Sequence, residues 1–390
     1  MKSPRNAVVD IYRGFVMFLM MAEVWEFWKI SQKVPESGFW KFLAFNQSHV
    51  EWVGCSLHDM IQPSFSFLVG VALPFSVASR IKKGEDFKKM VFHAFKRSLI
   101  LILLGVFLRS FGHTITNWTF EDTLTQIGLG YPFLFLLGFV SPKIQKITFA
   151  GIIFFYWLAF ALYPIASPDF NWETVGVAND WPHSLSGFAA HWNKNYNLAN
   201  AFDQWFLNLF PRTSPFVFNG GGYVTLSFIP TLGTMILGLF AGNILKSEPA
   251  FSEKIKTFGM FSITLIIIGL VLHFLGVNPI VKRIWTPVWT LFSGGICYLF
   301  LILFSFLVEK FRIVKPFEFF RIIGLNSIAA YVLAHTVNGF IYDNFKIHFG
   351  QNVYLIFGEN YETLVSGTVI LAVEWLVLRW MYRNQVFIKI

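Results

Sequence analysis

His49 and, ten residues later, Asp59 are of residue types suited to acid–base chemistry. Imidazole exchanges protons near neutral pH, and a carboxylate can orient or charge-balance it. The stretch from Ser48 to Ser66 also holds a second histidine, His58. Were the residues between the two histidines helical, the rings would stand roughly 13 Å apart by the rise per residue, too far to share one proton. One of them is then structural or interfacial, and spacing does not choose between them. Asp59, Gln62 and Ser66 recur at i, i+3 and i+7, so a helix places all three on one side. Such a face points at a pocket or the bundle interior, not at lipid.

Three further clusters could do chemistry or merely hold helices together. Asp10 and Arg13, three apart before Gly14, share a helix face as a clamp or a substrate contact. Glu23 and Glu26 follow on the same predicted helix, with Lys29 placed to pair with Glu26, so Glu23 is the harder carboxylate to dismiss. After Asn326, the residues Ser327, Tyr331 and His335 recur every four positions as one stripe of a later apolar segment, which reads either as a cavity wall or as interhelical hydrogen bonding. Lys282 and Arg283, beside Trp285, sit where cations are otherwise scarce and could hold an anion. Charged groups at membrane depth cost on the order of 3 kcal/mol each, which is why these residues draw notice.

The elements that must position these groups are membrane spans. Of 390 residues, 55% are hydrophobic and only 14% charged, a mixture that cannot cover a soluble domain. Runs long enough to cross a bilayer fall near 14–33, 58–79, 98–112, 123–140, 147–166, 224–245, 257–277, 286–308, 321–342 and 362–381. The third, short and carrying Arg109, extends back through His93 or lies partly at the interface. The fold class is therefore all-α: a polytopic transmembrane helix bundle of about ten spans, forming a single domain over 1–390 with a long extracytoplasmic connection at 167–223. The net charge of +9 comes from basic clusters between apolar runs, which excludes nucleic acid as a partner and fits positive-inside topology. Lys2, Arg5, Arg13, the cluster from Arg80 to Arg97, Lys246, Lys310, Arg383 and Lys389 fall on one side if both termini are cytoplasmic. Met1 to Arg13 reads as an uncleaved signal anchor. Cys55 and Cys297 belong to no ligand pattern, so no metal is expected. The Trp-rich connection, with Trp172, Trp181, Trp192 and Trp205, is either a cap over a sugar or an interfacial aromatic belt.

In order along the chain, Asp10-x-x-Arg13-Gly14, His49-x-x-Trp52-x-Gly54 with Asp59, Gln126-Ile-Gly128, Pro230-Thr-Leu-Gly233, Trp285-Thr286-Pro287 and Gly324-x-Asn326-Ser327 with Tyr331 resemble the family of heparan-α-glucosaminide N-acetyltransferase and its bacterial relatives. Members of that family move acetyl from cytosolic acetyl-CoA to an acceptor across the membrane. The resemblance places His49 on the catalytic histidine and Asp59 on the acid that follows it. It implies acetyl-CoA as co-substrate, no metal, and a glycan-type acceptor taking N- or O-acetyl. Arg13, Gln126, Asn326, Ser327 and Tyr331 are the expected cofactor-side residues, and Glu23, Trp52, His58, Lys282, Trp285 and His335 the substrate-side ones. Arg80, Lys82, Lys83, Lys88, Lys89, Lys96 and Arg97 would meet the CoA phosphates or anionic lipid. His49 would act as general base or be transiently acetylated. The chain departs from the pattern at Val24, beside Glu23, and at Val53, where the family carries Asn, which leaves the acceptor open. Membrane lipids and a small-molecule or glycan acceptor are the expected partners, with a homodimer left open. Richness in Lys, Ile and Phe points to a bacterial cytoplasmic membrane. A multi-span transporter lined by the same polar stripes, or a purely structural membrane protein, are the other readings.

Overall fold

The computed structural model describes residues 7–388, and among these the secondary structure is helical, with one isolated antiparallel bridge between Val53 and Val281. Lys2, Arg5 and Lys389, and the first part of the proposed anchor, lie outside the described residues. In chain order the helices are α1 (Ala7–Met21), α2 (Phe27–Lys33), α3 (Gly38–Gln47), α4 (Ile61–Lys82), α5 (Phe87–Arg109), α6 (Thr123–Leu137), α7 (Pro142–Ala161), α8 (Leu198–Phe206), α9 (Phe228–Lys246), α10 (Phe251–Phe274), α11 (Pro287–Ser305), α12 (Glu318–Leu325), α13 (Ser327–Thr336), α14 (Asn338–Phe349) and α15 (Glu362–Arg383). Local capping sets several starts: the Asp86, Asp122 and Ser141 side chains accept from backbone N–H groups of the first turns of α5, α6 and α7, replacing partners those groups lack inside the helix. Seven helices are long and apolar enough to cross a membrane, and the bent pair Lys315–Leu325 with Ser327–Thr336 makes an eighth if taken as one span.

Two of the expected spans do not run straight through. The 14–33 segment stops at Met21, passes through a 3-10 turn at Ala22–Trp25, and reverses at Glu26, whose φ of 45° is left-handed, before α2 begins. The break is stabilised by Gln47, whose Oε1 accepts from Phe27 N–H at 2.8 Å and whose Nε2 donates to the Ala22 carbonyl at 2.7 Å. One amide thus replaces two backbone partners that an unbroken helix would supply. The 321–342 segment breaks twice, at Asn326 and Val337, and its first two pieces meet at 75°. By contrast, the short third candidate extends back past His93 to Phe87.

The helices group into two compact units, residues 7–50, 55–64 and 300–388 in the first, and 51–54 and 65–299 in the second. In the first unit α1 crosses α12 at main-chain distance: a Cβ on Gly14 would lie 1.7 Å from the Phe320 carbonyl oxygen, and one on Gly324 2.1 Å from that of Asp10. Tyr12 stacks on Phe304, with ring centroids 5.3 Å apart, and donates to Ser64 Oγ at 2.9 Å. In the second unit the same device joins α4 to α9. Cβ atoms on Gly70 and Gly238 would meet the carbonyl oxygens of Met235 and Phe67 at 1.9 Å each. Small residues permit this approach, and packing contact then drives association in lipid. Tyr298 Oη donates to the Leu237 carbonyl at 2.8 Å and Ser262 Oγ to that of Gly295 at 2.8 Å, closing α9, α10 and α11 together.

Gly238→Val is expected to lower stability by about 3 kcal/mol or more, since only backbone faces the added methyls. Gly259→Ala, on α10 with nothing within 4 Å, should change it by less than about 1 kcal/mol. Thermal unfolding of both variants in one detergent checks the contrast.

Candidate active site

Asp59 opens the helical stretch His58–Lys82 and is fully buried. Its Oδ2 accepts from Val50 N–H (3.2 Å) and Ser56 N–H (3.0 Å) and lies 3.0 Å from Ser56 Oγ, and its Oδ1 lies 2.8 Å from His49 Nδ1. Ser56 Oγ in turn donates to the Ser48 carbonyl at 2.6 Å. These bonds fold residues 48–56 back onto the start of the helix, so the segment between the histidines is a loop and not a helix. The separation of roughly 13 Å inferred from a helical rise is corrected accordingly: the His49 and His58 ring centroids are 4.5 Å apart, tilted by 53°. Asparagine and glutamine side chains support the turn from outside, through Asn46 Oδ1 accepting from Leu57 N–H at 3.3 Å and through the Gln47 clamp.

Both imidazoles line a cavity of about 800 Å³ within the first unit, a size suited to a small-molecule ligand. Glu23, Lys29, His335 and Glu362 contribute further charged or ionisable groups to its wall. His58 Nε2 lies 3.7 Å from Glu23 Oε1, and Lys29 Nζ is 2.7 Å from Glu26 Oε2. Each imidazole therefore has its own carboxylate, and a proton on one ring disfavours a proton on its neighbour. With Nδ1 hydrogen-bonded to Asp59, the His49 tautomer that suits a base carries its lone pair on Nε2. The arrangement can take a proton from an acceptor and hold the resulting imidazolium against a buried carboxylate.

Of the residues singled out by the sequence, Glu23, His49, His58 and His335 share this cavity, and Asp59 holds His49 from behind. Tyr331 stacks on His335, centroids 4.3 Å apart, and its carbonyl bonds His335 Nδ1 at 2.8 Å. Arg13 pairs with Asp10 at 3.4 Å. Asn326 is buried at the α12–α13 break, where Nδ2 donates to the Val386 carbonyl (3.0 Å) and Oδ1 accepts from Ile388 N–H (3.2 Å). Its amide ties down the carboxyl-terminal segment, and the adjacent Ser327 begins α13. Neither lines the cavity, which meets α13 only toward its far end, at Ala334 and His335. Gln47, Asn338, Tyr342 and Ser366 do line it and were passed over, although Gln47 stands two residues before His49.

Trp52, Gln126, Lys282 and Trp285 belong to the second unit. Trp52 is fully enclosed, donating from Nε1 to the Trp192 carbonyl at 3.0 Å within a cluster that includes Tyr156, Phe160, Val281 and Ile284, so it offers no ring face to a sugar. Gln126 Nε2 donates to the carbonyls of Phe120 (2.6 Å) and Thr225 (3.1 Å). Trp285 adopts a left-handed φ of 47°, with Nε1 3.2 Å from Thr234 Oγ1, and Lys282 is buried beside it. Arg80 pairs with Glu85 at 2.9 Å and Arg97 lies over the Tyr131 ring, whereas Lys82, Lys83, Lys88, Lys89 and Lys96 are exposed and suit a polyphosphate or anionic headgroups. Among the described residues no group of three metal-ligating side chains occurs.

A bundle of apolar helices that holds a buried carboxylate against a histidine on a cavity wall is a membrane protein equipped for proton transfer. Over 99% of its length the chain is 21% identical to heparan-alpha-glucosaminide N-acetyltransferase of Mus musculus, a distant similarity, and it spans 60% of that protein's length. No protein-family profile matches the chain.

Two predictions follow from these interactions. Asp59→Ala should free the 48–56 loop and cost roughly 3 kcal/mol, read as faster proteolytic cleavage within that loop and a lower melting temperature; unaltered cleavage would show that the carboxylate does not organise it. In the second unit, burial pushes the Asp203 carboxyl up from 3.8 to about 7, against the opposing hydrogen bond from Thr225 N–H. The folded state then retains a proton that the unfolded chain releases, so this contribution is complete below pH 3.8 and disappears as pH rises through about 7. Asp203→Asn should flatten that decline, at most about 4 kcal/mol, in melting curves recorded across the interval.

Proposed function

We propose that this chain is a transmembrane acetyltransferase that moves an acetyl group from cytosolic acetyl-CoA to a sugar amine or hydroxyl on the far side of the membrane. The observation that carries the reading is the 2.8 Å contact between His49 Nδ1 and the buried Asp59 carboxylate on the wall of an 800 Å³ cavity. The distant similarity to a mouse N-acetyltransferase along nearly the whole chain supports the reaction class. The topology that suits it has about ten spans, both termini in the cytoplasm and the 167–223 connection outside.

Acetyl-CoA supplies the activated acyl group. Exposed Lys82, Lys83, Lys88, Lys89 and Lys96 attract its phosphates. His49 Nε2 removes the proton from the amine or hydroxyl as it attacks the thioester carbon, the C–S bond breaks and CoA leaves as a thiolate that takes up a proton, while Asp59 holds the ring in that tautomer and stabilises the imidazolium. His58, in ring contact with His49 and within 3.7 Å of Glu23, is placed to pass the proton to the cavity mouth. Glu23, Glu362 and His335 position the acceptor.

His49→Ala should reduce acetyl transfer by roughly 10²- to 10⁴-fold while leaving acetyl-CoA binding and the melting temperature near those of the wild type. Isothermal titration and a radiolabelled transfer assay on the full chain in detergent or nanodiscs check it. A wild-type protein that neither binds acetyl-CoA nor hydrolyses it slowly would sink the enzymatic reading.

A further inference from the structure

Glu374 lies on α15, in the stretch Glu359–Arg383 that is long and apolar enough to cross a membrane. It is 1% exposed, and neither carboxylate oxygen has a hydrogen-bond partner. It plays no part in the chemistry assigned to His49. An ionised carboxylate in such a place has lost its hydration with nothing to replace it, so the group is held as the neutral acid or finds a counter-charge.

Among the described residues no counter-charge is at hand. Elements packed against α15 include α2, α12, α13, α14 and the turn Ala22–Trp25, and their ionisable groups are engaged elsewhere. Arg321 and Tyr382 meet Glu318, Lys29 meets Glu26, and Lys33 donates to the Glu359 carbonyl. Glu23 faces His58, His335 the Tyr331 carbonyl, and Tyr342 and Lys346 face Glu362. Asp343, His348 and Arg383 are exposed, and on the same helix Arg379 lies over the Trp375 ring.

The position is also connected. Thr363, Ser366 and Ile370 line the cavity that contains His49 and His58, and Glu374 continues the same face of α15, one turn or about 6 Å beyond Ile370. Thr363 Oγ1 on that face is itself buried without a partner, while Ser366 Oγ donates to the Thr363 carbonyl at 3.3 Å. Ser366, about 12 Å before Glu374 along the helix axis, is thus the nearer of the two hydroxyls to the carboxyl group, with Ile370 between them.

We propose that Glu374 is a membrane-embedded proton site, carried as the neutral acid inside the helix bundle and exchanging its proton with the cavity along the Thr363–Ser366–Ile370 face of α15. In each exchange the carboxyl O–H bond breaks and one forms on a water that enters from the cavity past Ile370, leaving carboxylate and hydronium that the reverse step restores, and no other reactant is needed.

The test uses dicyclohexylcarbodiimide, which attacks carboxyl groups that are both protonated and in apolar surroundings, on the purified full chain in nanodiscs. Mass spectrometry should find Glu374 modified in most copies at neutral pH, with the label lost in strong alkali. E374Q should lose the label and the infrared carbonyl band of a protonated acid, yet melt within a few degrees of the wild type, because an amide mimics the neutral form. An unlabelled wild-type Glu374, or a pronounced drop in melting temperature for E374Q, would mean an ionised carboxylate with a bound cation and overturn the proposal. For the route, Ser366→Leu should slow the deuterium-induced shift of that band by roughly tenfold or more; an unchanged rate overturns the connection to the cavity. Acetyl transfer is not read in any arm, so failure here is distinct from failure of the acetyltransferase reading.

Discussion

The arrangement around His49 depends on one buried carboxylate. Asp59 holds a loop and an imidazole with the same two oxygens: Oδ2 gathers Val50 and Ser56, and Oδ1 takes His49 Nδ1. Buried backbone groups of a loop need partners inside the protein. Using a side chain at the start of a helix for this purpose places negative charge where the helix dipole favours it. The placement of His49 and the local fold are in consequence not separable, and the two histidines meet because the loop is drawn tight.

The same economy of polar groups explains the helix breaks. A span interrupted inside a membrane protein leaves amide and carbonyl groups without partners, and two of the interruptions here are met by an amide side chain from a distant part of the same unit or by the chain end. Gln47 serves the break at Glu26, and Asn326 binds residues 386 and 388 from the break between α12 and α13. The break at Glu26 lies on the cavity wall, which suits the tendency of irregular backbone in membrane proteins to line a hydrated space.

How much of this was legible follows from the kind of signal each residue leaves. Apolar runs record burial away from water directly, so the candidate segments fall on helices, two of them broken and only seven or eight long and apolar enough to cross a membrane among the described residues, and His49, Asp59, Glu23 and His335 stood out as polar residues among apolar ones. Breaks leave no such record: Glu26 and Asn326 are ordinary residues whose conformations are set by partners far away in sequence. A helical rise applied across residues 49–58 therefore misjudged the distance between the histidines. Gln126, Trp52 and Asn326 drew attention as polar or aromatic residues in a recognisable order, yet in the structure each bonds to backbone and shapes its surroundings from within. Glu374 satisfies the same criterion of a charge at membrane depth as Glu23 and was passed over because no motif surrounds it.

The crossing of α4 and α9 has a mechanical implication. Where Gly70 and Gly238 bring main chain against main chain, there are no flexible side chains between the two helices to act as a lubricating layer. Sliding along their axes would drive the neighbouring side chains into carbonyl oxygens, whereas a small rotation about the glycine contact would not. Any working motion inside this unit is thereby restricted to pivoting, with the paired glycines as its fulcrum.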